Sequence, residues 1–339
     1  MRYRDAGVDI ARSDALKEAI GAEVRSTWGP GVRAIPGGFA GLMQWPDARS
    51  NGFLLAATLD GVGTKLHLAQ AAGRLADAAA DVVYHGANDL LAHGARPVAL
   101  LDYIAQAKLD PETVLEVVRG LSRACREVGA VLLGGETAEM PDTYLPGVVD
   151  VAGCLIGTAR PEGVLDGSRV RPGDVLLGLA AAGLHTNGFS LARRVLAASG
   201  LELSDPLPGG DGVTVGAALL APHRWYGPAL DSALDAGALH ALAHVTGGGI
   251  AGNLVRVLPE GCRAVVKERW ERPAAFRWLI SAGAVPEEDA RVALNLGIGM
   301  IVVCAPEWRD PVSAWAEAAG ERVFEIGRIE AGERGVAWE

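Results

Sequence analysis

Thr58-Leu59-Asp60-Gly61-Val62-Gly63-Thr64-Lys65 follows the apolar run Phe53-Leu54-Leu55-Ala56-Ala57. An apolar run of strand length that ends in an acid, two spaced glycines, a hydroxyl and a lysine reads as strand, turn and helix start. The turn offers what a metal-bound triphosphate needs. Asp60 supplies hard carboxylate oxygens for Mg²⁺, Gly61 and Gly63 let backbone N–H groups approach phosphate oxygens, and Lys65 adds a point charge. It is not the Walker pattern, because no glycine stands directly before Lys65 and the acid comes first.

Downstream, Lys65 to Ala72 and Leu75 to His93 show the helical apolar period, the second carrying Asn88 and Asp89 near its end. Arg96-Pro97 breaks it, and Val98 to Ile104 reads as a buried strand. Asp110 is a good N-cap with Pro111 at the first helical position, Gly129 closes that helix, and Val131-Leu132-Leu133 starts the next strand. That strand enters Gly134-Gly135-Glu136-Thr137-Ala138-Glu139-Met140-Pro141, a second strand end that delivers an acid after glycines. Upstream, the segment to Met43 is polar and glycine-rich, with helical spacing only from Asp14 to Val24.

Val148 to Gly157 is a further strand, and the polar, turn-rich stretch Asp166 to Asp174 is the expected domain boundary. Beyond it the alternation resumes: a strand over Val175 to Leu179, the loop Gly183-Leu184-His185-Thr186-Asn187-Gly188, and a helix from Phe189 to Ala198. Thr246-Gly247-Gly248-Gly249 precedes a helix from Ile250 to Val257, and Ile298 to Val303 and Arg322 to Ile326 are the clearest remaining strands. The pattern is α/β with two domains, 1–165 and 170–339.

With 41 acidic against 31 basic residues the net charge is −10, so no basic surface for nucleic acid or anionic membrane is implied. The longest nearly apolar run, Val175 to Leu184, is too short for a membrane helix. Met1 to Asp5 is not followed by an apolar leader segment, and the four scattered cysteines lack metal spacing, so a cytoplasmic location with reduced thiols is expected.

In α/β sheets ligands collect at strand carboxyl ends, where Asp60 and Glu136 could converge with Asp89 around Mg²⁺. Of seven histidines, His185 alone sits in a glycine-bounded loop, where an exposed imidazole can exchange protons or bind phosphate. His67, His85, His93, His223, His240 and His244 are read as structural. Thr246, Gly247 and Gly248, opening a helix, form a second phosphate cradle.

The combined pattern resembles the AIR synthetase (phosphoribosylformylglycinamidine cyclo-ligase) family, carried by Tyr3 to Asp9, Asp60-Gly61-Val62-Gly63-Thr64-Lys65, Asn88-Asp89, Gly134 to Pro141, Gly183 to Gly188 and His244 to Gly249 in that order. The resemblance runs from Tyr3 to about Ile326. It implies ATP- and Mg²⁺-dependent closure of an imidazole ring in purine biosynthesis, on a small nucleotide substrate. It also implies a homodimer whose first-domain sheets pair into a barrel, with a three-layer α/β domain attached to each.

Residue by residue it suggests Asp60, Asp89 and Glu136 as metal or metal-water ligands, and Gly61, Gly63, Thr64, Lys65, Asn88 and Thr137 as nucleotide contacts. His185, with Lys65 and Asp60, would be catalytic. The ribose phosphate would lie on Thr246, Gly247 and Gly248, an assignment resting more on helix-terminus physics. A monovalent cation such as K⁺ is left open. Arg4, Asp142, Thr186 and Leu296 depart from the residues usual in that family, which are lysine, glycine, serine and cysteine. Thiamine-monophosphate kinase, selenide water dikinase and formylglycinamidine synthetase share the superfamily, and a nucleotide-binding protein without turnover is the non-enzymatic alternative.

Overall fold

The computed structural model describes Ile20 and residues 23–35, 37–45 and 52–339. Tyr3 to Asp9, Arg4 included, and most of the Asp14 to Val24 helix lie outside the described residues, although Glu23 and Val24 are helical. The described residues form two six-stranded sheets. The first contains β1 (Val32–Arg33), β2 (Gly41–Gln44), β3 (Leu54–Gly61), β4 (Arg96–Gln106), β5 (Val131–Glu139) and β6 (Val149–Ala159) in the order β1-β2-β3-β6-β4-β5. Only β4 and β5 pair in parallel; β3–β6 and β4–β6 are antiparallel, so β3, β4 and β5 run the same way and end at one edge.

One face of this sheet carries helices α1 (Lys65–Ala71), α2 (Leu75–Leu91) and α3 (Pro111–Val128). The ends of α3 follow local rules: Asp110 accepts a hydrogen bond from Thr113 N at 3.2 Å, and Gly129 takes the left-handed conformation, φ 76°, that closes a helix. Helix α2 is almost wholly buried, including Asp81, His85, Asn88 and Asp89, because it is covered by the sheet on one side and by the second half of the chain on the other. Among the described residues nothing covers the opposite sheet face. Leu59, Cys154 and Leu101 stand in one cross-strand row on it, and Leu59 is 70 % exposed and Leu133 67 % exposed.

The second sheet is built from β7 (Val175–Ala180), β8 (Leu239–His244), β9 (Cys262–Val266), β10 (Ile298–Cys304), β11 (Val323–Ala331) and β12 (Gly335–Trp338), in the order β12-β9-β11-β7-β10-β8. It is antiparallel except for β12 with β9. Strand β10 is buried along its whole length, which requires cover on both faces. The helices of this half are α4 (Phe189–Ser199), α5 (Val215–Leu219), α6 (Gly227–Asp235), α7 (Gly249–Leu254), α8 (Ala274–Ala282), α9 (Glu287–Ala293) and α10 (Arg309–Ala318). The α/β class read from the sequence is present, but local alternation concealed how far antiparallel pairing dominates.

Helices α6 and α10 pack on the second sheet. Helices α4, α5 and α8 instead share one hydrophobic core with α1, α2 and α3, so apolar packing is continuous across the stretch 166–174. Cys125, Cys262 and Cys304 are buried free thiols, and Cys154 is half-buried. Among the described residues no helix is long and apolar enough to cross a membrane.

Candidate active site

Strand β3 runs to Gly61, Gly63 takes φ 67°, and α1 begins at Lys65, so the turn has the strand–turn–helix form that its glycines dictate. Asp60 closes the turn on itself: its Oδ1 accepts the Gly61 N–H at 2.7 Å. Its other oxygen, Oδ2, lies 2.7 Å from His85 Nε2 on α2. The same Nε2 is 3.6 Å from Asp89 Oδ2, one helical turn further on. Asp60 and Asp89 thus converge on one point, approached from a strand end and from a helix face. Burial alone would raise the Asp60 carboxyl, but the hydrogen bond and charge of His85 outweigh it and hold Asp60 below the ordinary carboxylate range. For His85 burial opposes protonation, yet Asp89 and Asp60 lift its pKa to about 9.

Asp89 is gripped from the second half as well. His244, the last residue of β8, donates from Nδ1 to Asp89 Oδ1 at 2.8 Å, and Thr58 Oγ1 lies 3.4 Å from Asp89 Oδ2. His244 Nε2 meets His223 Nε2 at 3.3 Å, and the His223 ring stacks on His185 with centroids 4.0 Å apart. Burial, reinforced by neighbouring cationic groups, pushes the pKa of His185 and His223 well down; burial also lowers His244, although Asp89 acts against it. Burial thus favours the neutral form of these three imidazoles, whereas the two carboxylates favour the cation at His85.

The loop Gly183 to Gly188 closes over this cluster. Thr186 Oγ1 is 2.7 Å from His85 Nδ1, keeping the hydroxyl chemistry at that position. Asn187 Oδ1 stands 3.2 Å from where a Cβ on Gly247 would be, so the loop and the Thr246-Gly247-Gly248 turn face each other at close range. That turn is held from behind by Asn253, which donates to Gly249 O at 2.8 Å, with Gly248 at φ 99°.

Three expectations need correction. His185 is not an exposed loop residue: it is 1 % exposed, held at φ 60°, and its Nε2 accepts from Ala182 N at 3.3 Å. Lys65 does not reach out of the turn. The first turn of α1 points its side chain inward, where Nζ forms an ion pair with Asp81 and donates to His185 O at 2.9 Å and Ala221 O at 3.2 Å. Glu136 does not join Asp60 and Asp89. Strands β6 and β4 intervene, about 14 Å at three inter-strand spacings. Asp60 shares a row with Gly153 and Asp102, whereas Glu136 is in register with Tyr103 and turns to the opposite, bare face.

Three other predicted nucleotide contacts are placed differently from one another. Asn88 uses its amide to pin the 223–226 segment, donating to Arg224 O at 2.7 Å and accepting from Tyr226 N at 3.1 Å. Thr64 Oγ1 remains near the surface, 3.3 Å from Ser190 Oγ, while Thr137 is exposed on β5 beside Glu136. Asp142 has φ 63° in an exposed turn, the conformation that a glycine at this position accommodates without strain.

Read as structural, His85, His223 and His244 instead line the site. The i, i+4 spacing of His85 and Asp89 on one helix was the signal for the first; His223 carried none, because its segment lacks periodicity and only folding brings it against His244.

The descriptions that match this chain are AIR synthase related protein, N-terminal domain, over residues 40–159, and AIR synthase related protein, C-terminal domain, over residues 171–338. The phosphoribosylformylglycinamidine cyclo-ligase of Myxococcus xanthus (strain DK1622) is 41 % identical over 332 residues, covering 98 % of this chain and 96 % of that protein. The protein of the same name from Anaeromyxobacter sp. (strain Fw109-5) is 42 % identical over 333 residues, with the same coverage of 98 % and 96 %. Among solved structures, tt0281 from Thermus thermophilus superimposes with a TM-score of 0.65 at 24 % identity over 95 % of both chains, a likeness of fold. Matched along both halves by domain descriptions and along nearly its full length by these relatives, the chain belongs to the AIR synthase related family.

Proposed function

We propose that the protein catalyses the ATP-dependent cyclisation of formylglycinamidine ribonucleotide to 5-aminoimidazole ribonucleotide, releasing ADP and phosphate. The observation that carries this reading is identity of 41–42 % over 98 % of the chain to enzymes of that name, and the approach of Asp60 and Asp89 to one point at His85 Nε2 supports it. The chemistry requires activation of a formyl oxygen, a poor leaving group until it is phosphorylated, after which the neighbouring amidine nitrogen closes the ring. Catalysis is then positioning plus neutralisation of phosphoryl charge.

The donor set fits Mg²⁺, which takes hard oxygens from one or two carboxylates and the rest from phosphate and water. Asp60 and Asp89 would hold it, and bound Mg²⁺ would neutralise charge on the transferring phosphoryl group. His244 orients Asp89 through Nδ1–H, and His85, as a cation, orients Asp60. Thr64 and the N–H groups of Gly61 and Gly63 remain the candidates for phosphate oxygens, with Thr246, Gly247 and Gly248 for the ribose phosphate. Lys65 acts by holding the His185 carbonyl and hence the shape of the 183–188 loop. Glu136, on the bare sheet face, would contribute only to a site completed there, whereas Thr137, opposite Ile104, alternates to the helix-bearing face at the far edge of the sheet.

That bare apolar face supports a homodimer formed by pairing of the first sheets. Purified protein incubated with ATP, Mg²⁺ and the formylamidine nucleotide is expected to yield ADP and the aminoimidazole in equal amounts. Formation of neither product would overturn the reading, and substrate-independent ADP release would point to a different phosphoryl acceptor.

A further inference from the structure

We propose that Arg256 is a positioning residue for the site: it holds the Gly37–Phe39 loop of the first half and the Thr246–Gly249 turn of the second half as one unit beside Asp89. This role presupposes the cyclisation proposed above. Arg256 lies in the short 3₁₀ turn Val255–Val257 that follows α7. Its guanidinium is a rigid planar fork of N–H donors, and the fork is used in two directions. Nε donates to Gly37 O, and Nη2 donates to Gly38 O at 2.8 Å, both more than 200 residues away in the chain. Nη1 donates to Asn253 Oδ1 at 3.1 Å. The guanidinium carbon stands 3.8 Å from the centroid of the Phe39 ring, so the cation also lies against the residue that ends the loop.

Both ends of this bridge lead to the site. Toward the first half, Phe39 N donates to His93 Nε2 at 2.8 Å. Phe39 O lies 3.4 Å from Thr58 Oγ1, and the same hydroxyl is 3.4 Å from Asp89 Oδ2. A Cβ on Gly38 would stand 3.1 Å from His93 Nε2, so the loop packs directly on the end of α2 that bears Asp89. Toward the second half, Asn253 is buried, and its Oδ1 also accepts from Thr246 Oγ1 at 3.1 Å while its Nδ2 donates to Gly249 O at 2.8 Å. Arg256 and the Thr246 hydroxyl thus meet at one amide oxygen.

The partners of Arg256 distinguish it from a cation held by charge. Among the described residues it forms no ion pair: its acceptors are two backbone carbonyls and an amide oxygen. Burial works against its charge, and the carboxylate of Asp89, which it does not touch, is what opposes that effect. A cation whose contacts are all neutral and drawn from both halves of the chain fixes distance and direction. Lysine keeps the charge but not the flat fork that reaches Gly37, Gly38 and Asn253 together. Misplacing reacting groups by about 1 Å can cost on the order of 10²-fold in rate, so losing the fork has a kinetic consequence beyond stability.

The test is Arg256→Lys, assayed with ATP, Mg²⁺ and the formylamidine nucleotide at a temperature where circular dichroism shows the variant folded. The expected result is a fall in kcat/KM for the formylamidine nucleotide on the order of 10²-fold, made up of a lower kcat and a higher KM. A purely structural arginine would lower the melting temperature and leave both constants of the folded enzyme unchanged, which would overturn the role. Should Arg256→Lys fail to fold, Phe39→Leu removes the ring beneath the guanidinium without touching its hydrogen bonds. The same two constants are expected to move in the same directions by a smaller factor, and wild-type constants in folded Phe39→Leu would count against positioning. Wild-type protein that does not cyclise the nucleotide would remove the cyclisation reading and this role with it, whereas wild-type turnover with unaltered variants removes the role alone.

Discussion

His244 Nδ1 lies 2.8 Å from Asp89 Oδ1, across 155 residues of chain, and through that bond the second sheet sets the orientation of a carboxylate carried by the first half. Asp89→Asn keeps the shape but removes the charge that would hold Mg²⁺. Turnover is expected to fall on the order of 10²-fold or more, with the circular dichroism spectrum unchanged. Steady-state rates of ATP consumption at saturating Mg²⁺ check this, and wild-type kinetics would remove Asp89 from the metal role.

Lys65 and Asp81 form an ion pair with side chains 1 % and 0 % exposed. Lys65→Met leaves Asp81 buried without its cation, and breaking one side of such a pair typically costs about 3–5 kcal/mol. The double variant Lys65→Met/Asp81→Leu should regain a large part of that loss. Urea unfolding of the two variants distinguishes this from a phosphate role, in which Lys65→Met would chiefly raise the KM for ATP at unaltered stability.

His93 locks the β1–β2 connection to the end of α2. Its Nε2 accepts from Phe39 N at 2.8 Å, so the proton sits on Nδ1, which donates to Leu165 O at 2.9 Å. Burial lowers the His93 pKa below 6.5, against the pull of the Leu165 carbonyl and Asp89. A group whose folded pKa is depressed gives its full stability above the unfolded value and loses it as pH falls, because the unfolded chain binds the proton first. Melting temperature should therefore decline as pH drops below about 6.5, and more steeply than in His93→Gln. Equal slopes for the two proteins would exclude His93 as the titrating group.

The bare face of the first sheet should be covered in solution. Leu59 and Leu101 share a row on it with Cys154. Leu59→Glu, exposed in the single chain, should leave the fold intact and shift the molecular mass in sedimentation from two chains to one. A wild-type protein that sediments as a monomer would defeat the prediction at once.

The sequence by itself determined the local elements. The Asp110 cap and the Gly129 stop frame α3, the apolar run before Asp60 is β3, and the spaced glycines make the turn that follows, because each is set by neighbours within a few residues. The order of motifs was enough to indicate the family. Tertiary structure decided the site. Which way Lys65 points depends on Asp81 and Ala221, and the partner of Asp89 depends on where β8 ends. Glu136 and Asp60 looked equivalent as acids after glycines, yet strand order and the period-two pleat put them on different faces. Distant pairing, register and burial are properties of packed elements, and they turned a set of histidines without a common sequence signal into one buried cluster around two carboxylates.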